Sequence, residues 1–134
     1  MEQRKFGKSA DPRLINYFFQ LIIKFLNNKR QIRCIHKVEK LLDPDTKGKP
    51  HKRFLYGYLD KKDHIYISAD PRKNFDKEEM SSTLLHEVIH VVMNQVGEED
   101  VQCLEKLIWE RFSKRQKAIL KSYIPKEFSS RRPS

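Results

Sequence analysis

His86, Glu87 and His90 form the pattern His-Glu-x-x-His. On a helix, residues four apart share a face, so the two imidazoles can converge on one ion, and zinc accepts histidine nitrogen readily. Glu87, one position round, can lean over the same ion and take a proton from a water held there. That is the chemistry of metal-assisted hydrolysis. The five-residue pattern alone arises by chance in many chains, so its surroundings matter. Leu84-Leu85 precede it, and Val88-Ile89 and Val91-Val92-Met93 fill in and follow it. Asp76-x-x-Glu79 reads as a capped helix start, and Gly97 reads as its close. Three polar groups in an otherwise buried helix need a reason, and a shared ion supplies one.

Two histidines hold zinc poorly, and a catalytic site normally adds a third protein ligand. His36 and His64 lie upstream on expected strands, so an acidic residue after Gly97 is the better candidate: Glu98, Glu99, Asp100, Glu105 or Glu110. Val101, Leu104, Ile108 and Phe112 define the buried face of the helix that carries them. At about 100° per residue, Glu98 and Glu105 fall beside that face, whereas Glu99 and Glu110 fall away from it. Glu98 ranks first. Glu99 stays in play because helix starts vary by a residue or two.

The elements that must position these groups are legible in part. Asp11-Pro12 starts a helix running to residue 26, with Leu14, Phe18, Leu21, Ile22 and Phe25 at helical spacing and Ile15, Phe19 and Leu26 widening the stripe. Residues 31–42 fit strand or helix, and strand is preferred because turn-rich sequence and clearer strands follow. Residues 43–50 form a loop on turn chemistry. Residues 53–68 read as a β-hairpin turning at Asp60-Lys61-Lys62-Asp63. The helix with the histidines should span residues 77–96. A last helical stretch should cover 98–123, broken near Ser113 and stopped by Pro125.

The 134 residues make one domain, with residues 1–10 and 126–134 expected to be flexible. Cys34 and Cys103 are too few and too scattered for a disulfide framework, which favours two reduced thiols in a cytoplasmic protein. No apolar run is long enough to span a bilayer. The net charge of +10, from 28 Lys and Arg against 18 Asp and Glu, favours anionic partners such as nucleic acid without identifying one.

Tyr56-Gly57-Tyr58 with Ile65-Tyr66-Ile67, then Thr83-Leu84-Leu85-His86-Glu87-Val88-Ile89-His90, then Glu98-Glu99-Asp100-Val101-x-x-Leu104, resembles the small phage and bacterial zincin-like metallopeptidases, relatives of the minigluzincins and of the ImmA/IrrE group. The resemblance covers roughly residues 30 to 112. The chain lacks the Ala-Asn pair that follows the ligand glutamate in the ImmA/IrrE pattern. The resemblance implies an α+β zincin-like fold: an N-terminal helix, a small three-stranded sheet, the active-site helix, and a following helix with the glutamate ligand. It also implies one zinc ion on His86, His90 and either Glu98 or Glu99, with Glu87 as general base in peptide-bond hydrolysis. The expected partner is a peptide or protein substrate, paired along the open edge of the hairpin. The alternative is a non-catalytic module of the same fold that binds nucleic acid or a protein through its basic surface.

Overall fold

A computed structural model describes residues 12–46 and 53–133. The expected cap at Asp11, the flexible residues 1–10 and loop positions 47–50 lie outside the described residues. Helix α1 (Pro12–Leu26) buries Ile15, Phe19, Ile22 and Leu26. Leu14, which the spacing put on the main stripe, is exposed instead. The apolar arc of this helix is wider than one seam, and the line one residue round is the one that meets the core.

Three strands follow: β1 (Cys34–Val38), β2 (Gly57–Leu59) and β3 (His64–Ser68). Their order is β1-β3-β2, with β3 parallel to β1 and antiparallel to β2. Strand β2 is shorter than expected, because Phe54 bridges to Leu42 and the Leu55 N–H donates to the Leu41 carbonyl. The chain before β2 is thereby tied to the loop after β1. The hairpin turn is held by Asp60, whose Oδ1 accepts from the N–H groups of Lys62 and His64, and Asp63 takes the left-handed backbone conformation that Asp tolerates at turns.

Every residue of β3 is buried, although its side chains alternate in polarity. Ile65 and Ile67 join the main core, while Tyr66 packs in a second cluster with Val38 and Leu41. Both faces of the sheet are therefore covered, and the C-terminal segment explains how. Residues 126–133, within the segment expected to be flexible, run beside the sheet. Phe128 bridges to Lys37, the Ser129 N–H donates to the Lys37 carbonyl, and Arg131 Nε donates to the Tyr66 hydroxyl at 2.9 Å. The signal was weak in sequence: basic and serine-rich composition does not reveal that a sheet face needs a lid.

Helix α2 (Lys77–Val92) starts at Asp76, whose Oδ1 accepts from the Glu79 N–H at 2.9 Å. It buries Met80, Leu84, Leu85, Val88 and Ile89, each worth roughly 1.5–3 kcal/mol when removed from water. It touches α1, β2, β3 and both later helices, α3 (Glu98–Arg111) and α4 (Lys114–Lys121), and so forms the centre of the molecule. A reciprocal capping box at Ser113 and Gln116 makes the expected break between α3 and α4.

The end of α2 differs from expectation. The helix stops at Val92, not 96, and Gly97 is the extended N-cap of α3 instead of the close of α2. Four more helical residues would have carried the chain about 6 Å further along the axis before turning. The early stop lets α3 fold back at once, antiparallel to α2.

Candidate metal centre

That reversal brings Glu98, the first residue of α3, onto the two histidines of α2. His90 Nε2 lies 2.8 Å from Glu98 Oε1 and 3.2 Å from His86 Nε2, and His86 Nε2 lies 3.1 Å from Glu98 Oε2. Among the described residues, His86, His90 and Glu98 form the group whose ligand atoms gather closely enough to hold a metal ion. Burial of Glu98 works to raise its pKa, but the neighbouring imidazoles of His86 and His90 outweigh it and leave the carboxyl below its ordinary value. The ionised carboxylate and the two ring nitrogens thus gather at one point.

The orientation of His86 is fixed from behind. Its Nδ1 lies 2.9 Å from Glu105 Oε1, and the Ser82 hydroxyl donates to the other oxygen of Glu105. Glu105 accepts a hydrogen bond from Nδ1 in one tautomer of the ring, and the contact turns Nε2 towards His90 and Glu98. Metal-binding histidines are commonly held this way. Burial lowers the pKa of His86, but Glu105, Glu87 and Glu98 outweigh it and raise the value overall.

Glu87 is 8 % exposed and lines the same cleft. No hydrogen bond to any described residue holds its carboxyl. Burial is the main cause that pushes its pKa up to about 7; the nearby His86 opposes this, and Glu98 and Glu105 add to it. An acid with that pKa exchanges a proton near neutrality, which is what a general base requires.

Gly57 of β2 covers Glu87. A Cβ there would stand 2.7 Å from Thr83 Cγ2 and 3.1 Å from Glu87 Oε2, so only glycine permits this approach. Asn74 clamps the strand to α2: its side-chain amide donates to the carbonyls of Tyr56 and Ser68, and its oxygen accepts from Thr83 at 2.7 Å. Ser68 N–H donates to Tyr56 C=O, and Asp60 N–H to His64 C=O, so the even-numbered residues of β2 pair inward. The N–H and C=O of Gly57 therefore face the open edge of the sheet, above the cleft. The cleft, about 590 Å³, runs between this edge and the faces of α2 and α3.

Of the acidic residues weighed as third ligand, the structure gathers Glu98. Glu99, one step round α3, and Asp100 and Glu110 stay outside the group, as helical rotation requires. Glu105 reaches the site but meets the far nitrogen of His86, not the ligand side. His36 and His64 pair with each other, Nε2 to Nδ1 at 2.8 Å, on the sheet face away from α2. Sequence reasoning passed over Ser82, Asn74 and Thr83, which look like ordinary helix-start polar residues. Gly57 within an aromatic strand was the one visible hint, since an isolated strand glycine often marks close backbone approach. In comparisons with protein-family models, curated proteins and solved structures, none matches this chain.

Proposed function

We propose that the protein is a zinc-dependent metallopeptidase, with His86, His90 and Glu98 as the zinc ligands and Glu87 as the general base. The observation that carries this reading is the convergence of those three ligand atoms beside a nearly buried carboxyl that no described residue hydrogen-bonds. Zinc bonded tetrahedrally at about 2.0–2.2 Å would hold its ligand atoms about 3.3–3.6 Å apart. The separations of 2.8 to 3.2 Å are shorter than that, so the three groups would have to open slightly around an ion, and two nitrogens with one oxygen is a donor set that zinc accepts.

When bound, zinc supplies Lewis acidity, polarising a carbonyl and drawing the pKa of water towards about 7. The rest falls to the protein. Glu87 takes the proton of the attacking water, and later gives it to the leaving amine. The outward N–H and C=O of Gly57 hold the peptide extended along β2. Glu105 and Ser82 keep the His86 ring from rotating.

The test is elemental analysis and peptide hydrolysis on wild type and Glu87→Gln. One zinc per chain in both, with cleavage only in wild type, is the expected result. Cleavage that persists in Glu87→Gln, or protein that takes up no zinc, overturns the proposal.

A further inference from the structure

Helix α1 carries two apolar lines, and the core takes up one of them. Ile15, Phe19, Ile22 and Leu26 are buried. Leu14, Phe18, Leu21 and Phe25 form a second line, one residue out of step and so turned by about 100° round the helix. Phe18 and Phe25 touch the core with part of their surface, Leu21 is half-buried, and Leu14 is 55 % exposed. Tyr17, beside this line, is 65 % exposed. Asn16 accepts from the Gln116 side chain, and Asn27 accepts from the Tyr123 hydroxyl. Helix α4 and the residues after it therefore lie on the side of α1 opposite the second line.

The spacing of that line sets the shape of what fits it. Steps of four, three and four residues are those of a coiled-coil seam, which another helix covers at a shallow crossing angle. An extended strand has a period of two and would meet these side chains out of step. Contiguous apolar side chains left in water mark a surface for a partner.

Charge then selects among helices. From Pro12 to Val38 the chain has six Lys and Arg and no Asp or Glu. Lys24 stands on the same side of α1 as Tyr17, seven residues on, and the exposed Lys29 follows the end of the helix. A second copy of the chain, with its own net charge of +10, would set these cations against their equals. A helix whose seam is flanked by carboxylates would meet opposite charges instead.

We propose that the open face of α1 is a docking site for an acidic amphipathic helix of another protein. Its apolar seam lies on Leu14, Phe18, Leu21 and Phe25, and its Asp or Glu side chains lie beside Lys24 and Lys29. This surface is separate from the metal centre, so the peptidase reading neither supports it nor depends on it.

The probe is a fluorescein-labelled helical peptide about four heptads long, with Leu at the seam positions, Glu flanking them, and Ala and Gln elsewhere. A second peptide has Lys in place of Glu. Full-length protein as purified is titrated into each. The Glu peptide should bind about tenfold more tightly than the Lys peptide, and less tightly as salt is raised. Leu14→Glu with Tyr17→Glu should weaken that binding about tenfold, with an unchanged circular dichroism spectrum because both side chains are more than half exposed. Phe54→Glu with Phe75→Glu adds the same charge at two exposed rings on other segments and should leave the affinity within about twofold. No binding of the Glu peptide, equal affinity for both peptides, or equal loss from the two double variants overturns the proposal. Two further measurements assign the face to a different occupant and equally overturn it. One is a dimer in sedimentation of the protein alone that Leu14→Glu with Tyr17→Glu disperses. The other is binding to phosphatidylserine vesicles that the same variant abolishes, without binding of the Glu peptide.

Discussion

The Nδ1 of His86 and the Oε1 of Glu105 stand 2.9 Å apart, across the interface between α2 and α3. The contact joins two helices and orients the His86 ring. Replacing Glu105 by Gln keeps the shape but removes the negative charge beside Nδ1. Loss of such a partner lowers metal affinity about 10–100-fold at comparable sites. Glu105→Gln should therefore bind zinc that much more weakly in competition with a chromogenic chelator, with its circular dichroism spectrum unchanged. Unaltered affinity would mean that the contact only packs the helices.

Gly57 carries a second expectation. An added methyl must displace Thr83 Cγ2, which stands 2.7 Å from it on a side chain held by Asn74, and it also crowds Glu87 Oε2. Gly57→Ala should cost about 1–3 kcal/mol in urea denaturation, as overpacking does. It should also slow peptide cleavage while one zinc per chain is retained, because the change bears on Glu87 and the strand edge and not on the ligands. Normal turnover in this variant would show that the edge moves freely and that its closeness to Glu87 has no catalytic role.

The parts of this arrangement that were legible in sequence are those written in local spacing. His86 and His90 at i and i+4, the cap at Asp76, the hairpin around Asp60 and the break at Ser113 each depend on residues within a turn of one another. Glu98 was ranked above its neighbours because helical rotation alone separates it from Glu99. What could not be read depends on contacts between distant segments. Glu105 faces His86 only because α2 ends at Val92 and α3 doubles back at once. The C-terminal segment lies beside Tyr66 through contacts such as that of Arg131 with the Tyr66 hydroxyl, 65 residues away in sequence. The exposed position of Leu14 has the same origin: two apolar lines on α1 were equally good locally, and the packing of α2 against α1 chose between them.

The outer face of the sheet leads to a pH dependence. His36 and His64 stack at 5.0 Å and share a hydrogen bond, and the Ser129 hydroxyl meets His36 Nδ1 at 3.0 Å. Burial holds the pKa of both rings below 6.5; for His36 the neighbouring His64 lowers it further, and for His64 Arg131 does so, while Asp60 opposes the shift in each. A depressed folded-state pKa means that the unfolded chain binds protons first. The stability from this pair is thus present above pH 6.5 and is lost as pH falls through the lowered folded values. Thermal melts from pH 7.5 to 5 should show wild type losing stability relative to His36→Gln with His64→Gln. Parallel melting curves for the two proteins would show that the pair does not titrate with folding.

Metal removal separates a bound ion from a chance gathering of polar groups. An ion that binds the folded chain stabilises it by RT ln(1 + [L]/Kd), about 4 kcal/mol at a thousandfold excess over Kd. His86, His90 and Glu98 tie α2 to the start of α3, so the gain should appear as a higher melting temperature with zinc and its loss with a chelator. His90→Ala removes the ligand nearest Glu98 and leaves the His86–Glu105 contact in place. Its melting temperature should be almost indifferent to zinc, while retaining the fold at 25 °C. If wild type and His90→Ala responded equally to zinc, the ion would be binding elsewhere on the chain, and the three gathered side chains would be held together by their hydrogen bonds alone.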